Sequence, residues 1–131
     1  MLLNNFFNIS NIVKEENTTK YTVAIELNPQ HAIYEGHFPE NPIVPGVCMQ
    51  QMVKETLSLI LEKKLMLYKA DNIKFLNLII PSISKTLKLN IHIKSTEDNQ
   101  IKIDSNISDE ERVYFKYIAY FKEVSLPKAI K

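Results

Sequence analysis

His37 is the residue whose type and setting best suit chemistry. It stands in Gly36-His37-Phe38-Pro39, followed by Pro42 and then by Pro45-Gly46-Val47. The 131-residue chain has only two glycines and six prolines, and both glycines and three of the prolines fall between Gly36 and Gly46. Glycine and proline impose particular backbone paths, so their concentration around one His specifies where that imidazole sits. A neutral imidazole has the unperturbed pKa best suited to proton abstraction near neutral pH. Pro45 reads as a helix start, where a missing N–H costs nothing. The free N–H groups and positive dipole end of that helix would suit a carbonyl oxygen that becomes negative. A base beside such donors is what removal of a proton next to a carbonyl requires. The same placement also suits a buried His that only holds a turn, and position alone leaves the two readings level.

The elements that must hold this segment are legible by periodicity. Residues 6 to 13 read as an N-terminal strand of undefined register. Tyr21, Val23, Ile25 and Leu27 alternate with polar neighbours as a half-buried strand ended by Pro29. From Gly46 to about Lys64 there is no proline and no further glycine. Met49, Met52, Val53, Leu57 and Ile60 recur at helical spacing, with Val47, Leu59 and Leu61 widening the stripe. A helix this apolar is expected to be wrapped, and Lys63 and Lys64 suit its C-terminal dipole. Ile73 to Ile80 is apolar on both faces, as expected of an interior strand. Leu87, Leu89, Ile91 and Ile93 alternate with polar residues, Ile101, Ile103 and Ile107 continue a further strand, and Val113 to Lys122 is rich in Tyr and Phe. Two strands, one long helix and four strands predict an α+β architecture with an antiparallel sheet curled around the helix.

Composition narrows the function class. At 15.2 kDa and 45% apolar residues, the chain is expected to be one domain spanning residues 1–131. A net charge of +1 supplies no global field for nucleic acid or a membrane. No apolar run approaches the roughly 20 residues needed to span a bilayer, and the start of the chain lacks a signal peptide's apolar core. The single Cys48 cannot form an internal disulfide, so a reducing, cytoplasmic setting is expected.

The motif Gly36-His37-Phe38-Pro39, Pro42, Pro45-Gly46-Val47 resembles that of the 3-hydroxyacyl-[acyl-carrier-protein] dehydratases of fatty-acid synthesis. The match is close over about fifteen residues (residues 37 to 51, HFPENPIVPGVCMQQ), and Ile73-Lys74-Phe75-Leu76 with Pro81 is similar to the family's strand after the helix. The resemblance implies the hotdog fold, in which a curved antiparallel sheet wraps one long central helix. It also implies a homodimer or larger assembly of dimers with active sites at the subunit interface, no cofactor, and an acyl carrier protein or coenzyme A thioester as substrate. On that resemblance His37 is the catalytic base that takes a proton from C2. Gly46 offers its backbone N–H to the thioester carbonyl, and Phe38, Pro45 and Val47 flank the bound acyl group. The reaction implied is reversible loss of water from a 3-hydroxyacyl thioester to give a 2-enoyl thioester.

One position departs from the pattern. Fourteen residues after the His, where the family carries Glu or Asp to assist departure of the C3 hydroxyl, this chain has Gln51. An amide can hydrogen-bond a hydroxyl but has no acidic proton to give at neutral pH. Loss of a general acid is worth roughly a hundred- to ten-thousand-fold in rate. Three readings follow. Gln51 orients the hydroxyl while His37 shuttles the proton; Glu55, about 6 Å further along the helix and on the same face, supplies the acid; or the chain has kept acyl binding without dehydration, as a non-catalytic or heterodimer subunit. A hotdog thioesterase is a further alternative, with Glu40 in the turn the available carboxylate.

The remaining candidates read as structure. Cys48 near a helix start is expected to be a small buried hydrophobe. His31 is expected to help position the motif loop, and His92 to face solvent. The three His share no metal-ligand spacing, so no metal is expected. The aromatics from Tyr114 to Phe121 lack a basic stripe and read as packing rather than base stacking. Met49 and Met52 suit a plain core or the wall of an acyl tunnel. Lys74, Lys85 and Lys88 could meet an acidic carrier protein, though surface lysines are usually only solvated.

Overall fold

The computed structural model of the protein describes residues 1–36 and 40–124. Six strands and two helices follow in the order β1 (Phe7–Lys14), β2 (Lys20–Leu27), α1 (Ile33–Gly36), α2 (Gly46–Leu61), β3 (Leu65–Phe75), β4 (Thr86–Glu97), β5 (Gln100–Ser108) and β6 (Val113–Glu123). The strands form one antiparallel sheet in the order β1-β2-β4-β5-β6-β3. Strand number, single long helix and antiparallel pairing are those expected from the sequence. The fold is the hotdog fold.

Alternation along the strands decides which face meets the helix. Val23 on β2 pairs with Leu89 on β4, Leu89 with Ile107 on β5, and Ile107 with Phe115 on β6, giving a row of side chains that are wholly buried. Tyr21, Ile91, Ser105 and Tyr117 form the next row. Over these rows lies α2, which buries Cys48, Met49, Met52, Val53, Thr56 and Leu57. The opposite face of the sheet is polar: Thr22, Asn90 and Asn106 line up across three strands, with Asn90 Nδ2 donating to Asn106 Oδ1 at 2.8 Å.

The region after the helix differs from the sequence-based expectation. The helix stops at Leu61 rather than near Lys64, because Glu62 turns left-handed (φ 53°, ψ 43°) and the N–H groups of Glu62 and Lys63 close back on Leu59 and Ser58 carbonyls. A non-glycine residue in that conformation leaves no compositional mark. Strand β3 then begins at once, eight residues before Ile73, and ends at Phe75. It is an edge strand paired with β6 alone, not an interior one, and only Leu65 of its eleven residues is buried. Its apolar residues occupy both faces, yet Met66, Leu67, Tyr68 and Phe75 are all exposed. Periodicity shows which residues are apolar, not what covers them. The short helix α1 was also not anticipated.

Leu57 is fully buried between α2 and the sheet. Leu57→Ala is expected to lower stability by about 2–5 kcal/mol through lost transfer energy and a residual cavity, measured by urea unfolding.

Candidate active site

Strand β2 hands the chain to a loop built on side-chain caps. Asn28 Oδ1 accepts the Gln30 N–H at 3.0 Å, and His31 Nδ1 accepts the Ile33 N–H at 3.1 Å, starting α1. The His31 ring stands edge-on to Phe6 with centroids 5.3 Å apart. His31 therefore holds the loop, as expected. α1 ends at Gly36, and His37 and Phe38, the expected base and its acyl-contacting neighbour, lie outside the described residues together with Pro39.

The chain is docked again at Val44, whose N–H bonds the Ile79 carbonyl at 2.9 Å. Pro45 precedes α2 in an extended conformation (φ −65°, ψ 145°), and no side chain caps the helix. The Pro45 carbonyl accepts from Cys48 at 3.0 Å and Met49 at 3.2 Å. Among the described residues, the N–H groups of Gly46 and Val47 have no backbone acceptor. Uncapped amides at the positive end of a helix dipole are chemically suited to an anion or a polarised carbonyl. Gly46 also has a steric reason to be glycine: a Cβ there would lie 2.6 and 2.8 Å from ring atoms of Phe75. Phe75 stacks on Phe115, and Phe115 on Tyr117, with centroids 5.3 and 5.5 Å apart, so an aromatic row runs inward from the helix start. Val47 points outward, 73% exposed.

Gln51 lies five residues into α2 and is half-buried. Its Nε2 donates to Glu55 Oε2 at 2.8 Å. Glu55 is buried and is fully occupied as an acceptor: Leu2 N–H reaches both of its oxygens at 2.9 Å, and Leu3 N–H reaches Oε1 at 2.8 Å. The i,i+4 relation of Gln51 and Glu55 was visible in the sequence. That the N-terminal backbone supplies the other donors was not. Gln51 lines a recess of about 200 Å³ with Val47, Gln50, Lys54, Leu67, Tyr117 and Phe121. Two of these, Tyr117 and Phe121, are core residues, as the packing reading of the aromatic run expects.

The other candidates resolve as follows. Cys48 is buried and desolvation raises its thiol pKa, as does burial, then the nearby Cys48 thiol, for the Tyr34 phenol. Both groups are neutral at physiological pH. Met49 and Met52 are core residues. His92 is half-buried on the polar face of the sheet, in a groove of about 520 Å³ that also holds Lys20 and Asp104. Lys88 is paired with Glu110 at 3.5 Å. Among the described residues no cluster of His, Cys, Asp or Glu has metal-binding geometry, and no helix is long and apolar enough to cross a membrane.

Comparison with known proteins places this geometry in context. The family described as ApeI-like (ApeI dehydratase) matches residues 13–118. The 3-hydroxyacyl-[acyl-carrier-protein] dehydratase FabZ of Lactobacillus helveticus is 27% identical over 107 residues, covering 67% of this chain and 71% of that protein. Among solved structures, the dehydratase heterocomplex ApeI:P of Xenorhabdus doucetiae superposes with a TM-score of 0.68 at 16% identity, covering 88% of this chain and 96% of that one. A proposed thioesterase of Lactococcus lactis gives 0.65 at 14% identity, covering 95% of each chain. At these identities the structural likenesses bear on the fold alone.

The raised thiol and phenol pKa values predict alkaline sensitivity. A raised folded-state pKa contributes stability that is full below the ordinary value and declines as pH rises beyond it. Stability is expected to fall as pH climbs past the thiol's ordinary 9.0, in unfolding curves measured from pH 7 upward. Over the same range a thiol-specific disulfide reagent should label Cys48 far more slowly in native than in unfolded protein.

Proposed function

The chain belongs to the ApeI-like dehydratase family, and we propose that it catalyses reversible loss of water from a 3-hydroxyacyl thioester. The observation that carries this reading is the uncapped start of α2 at Gly46, which follows the His37 motif and precedes Gln51 on one continuous helix. In this mechanism the thioester carbonyl oxygen accepts the Gly46 N–H, which stabilises the negative charge as the C2–H bond breaks. His37 takes that proton. The C2 electron pair forms the C2=C3 bond and the C3–O bond breaks. The departing oxygen takes the proton back from the imidazolium and leaves as water, so His37 ends neutral and no cofactor is consumed. Gln51 hydrogen-bonds the C3 hydroxyl, and Phe38, Pro45 and Val47 contact the acyl thioester.

The carrier in this reading is acyl carrier protein or coenzyme A, and the setting is cytoplasmic, in keeping with a single buried thiol. The whole chain, residues 1–131, acts as one domain. A second copy completes the site. In support, the outer edge of β3 has no partner strand among the described residues and carries Met66, Leu67, Tyr68 and Phe75 exposed, an apolar edge of the kind that invites pairing. A second reading is favoured by Gln51 itself. With no carboxyl at that position and Glu55 taken up by Leu2, Leu3 and Gln51, the chain suits one half of a heterodimer whose partner brings the acid. The thioesterase alternative has weaker support, since Glu40 is exposed in the turn.

Two measurements test this. Purified protein given a 3-hydroxyacyl thioester on carrier protein should yield the 2-enoyl product by mass spectrometry, and His37→Ala should reduce the rate by roughly a hundredfold or more. Gln51→Glu sets a second carboxyl beside Glu55, and the like-charge repulsion favours retention of one proton. That variant should be faster than wild type. Wild-type silence with an active Gln51→Glu would instead mark an acyl-binding relative, and silence in both would point to the heterodimer. Separately, light scattering should give about twice the 15.2 kDa chain mass, and Leu67→Asp on the β3 edge should shift the population toward monomer.

A further inference from the structure

The amide of Gln51 has one orientation that the chemistry around it allows. A carboxylate only accepts hydrogen bonds, so the group 2.8 Å from Glu55 Oε2 must be the Gln51 NH₂, and the carbonyl Oε1 must lie on the other side of the amide plane. Glu55 cannot swing away to release it. Its oxygens also accept the Leu2 and Leu3 N–H groups, and the residue is only 7% exposed. The amide sits between two hollows. Glu55, Leu3 and Leu59 line one, Val47, Gln50, Leu67, Tyr117 and Phe121 line the other nearer the helix start, and Gln51 and Lys54 border both. With Nε2 committed to the Glu55 side, Oε1 has no protein donor among the described residues.

We propose that Glu55 is a specificity-determining positioning residue: it fixes Gln51 so that this amide turns its acceptor, and not its donor, to the C3 substituent of the acyl chain. A 3-hydroxyacyl thioester can donate its O–H to Gln51 Oε1. A 3-oxoacyl thioester has only acceptor lone pairs at C3 and would face the amide oxygen unpaired. Glu55 thereby selects the hydroxy over the oxo oxidation state, without itself touching the substrate. This rests on the acyl-thioester reading above for the identity of the occupant.

The test uses the intact protein and matched 3-hydroxyoctanoyl and 3-oxooctanoyl pantetheine analogues in which nitrogen replaces the thioester sulfur, so that neither dehydration nor hydrolysis intervenes. By calorimetry the wild type should bind the hydroxy analogue more tightly, by roughly fivefold to tenfold, the worth of one hydrogen bond. In Glu55→Gln the new side chain still accepts from Leu2 and Leu3 but offers an NH₂ to Gln51, whose amide then turns its own NH₂ to the recess. The preference should vanish or invert. Gln51→Met leaves the contacts of Glu55 to Leu2 and Leu3 in place and should bring the ratio to about one, which covers the case of a poorly folding Glu55 variant. In ¹H–¹⁵N spectra the Gln51 side-chain NH₂ signals, identified by their loss in Gln51→Met, should move in Glu55→Gln. Equal binding of both analogues by wild type, or a preference that survives Gln51→Met, overturns the inference while leaving the acyl reading intact. Failure of both analogues to bind, with the NH₂ signature present, overturns the acyl reading and the proposed selectivity with it.

Discussion

Burial of the apolar stripe on α2 is the constraint on which the rest of the structure depends. Met52, Val53 and Leu57 are at most 1% exposed. In a chain of this size only the sheet can cover them, and at roughly 25 cal/mol per Å² such burial outweighs any local preference of the flanking segments. The curvature of the sheet and the register that aligns Val23, Leu89, Ile107 and Phe115 follow from it. So does the placement of the site. A helix held by its inner face has its first turn fixed as well, and its start at Gly46 presents two N–H groups that have no backbone acceptor among the described residues. Rigidity at that point comes from packing several turns away.

The second organising contact is the buried carboxylate of Glu55. Its oxygens meet the N–H groups of Leu2 and Leu3, which ties the N-terminal segment across the helix, and the same carboxylate holds the Gln51 amide. An acid at position 55 that is engaged by three donors is a structural acceptor first. On the dehydratase reading proposed above, the site divides into a half that supplies donors, the uncapped helix start, and a half in which an oriented neutral amide stands where the resemblance implies an acid.

Much of this was legible in the sequence where local chemistry and global packing agree. Alternation located β2, β4 and β5 because each has one wet face and one dry one, and the run of Tyr and Phe located β6. Legibility ended where a residue's role is set from outside its own segment. The apolar residues from Ile73 to Ile80 read as an interior strand, but the chain leaves the sheet after Phe75, and β3 keeps one edge open. The turn at Glu62 carries no glycine, so the early start of β3 left no signal. Glu55 was visible as a neighbour of Gln51, yet its donors come from more than fifty residues away, a relation no periodicity encodes. The steric need for glycine at position 46, imposed by Phe75, was hidden for the same reason.

The central claim is that the proton-abstracting half of the chemistry is present whether or not Gln51 lets water depart quickly. Following solvent deuterium into C2 of a 3-hydroxyacyl thioester in D₂O tests it most directly, because exchange needs only the base and the oxyanion donors. The account predicts protein-dependent deuterium uptake at C2 that outpaces formation of the enoyl product. Absence of exchange above the uncatalysed background, in protein shown to bind the thioester, would contradict it.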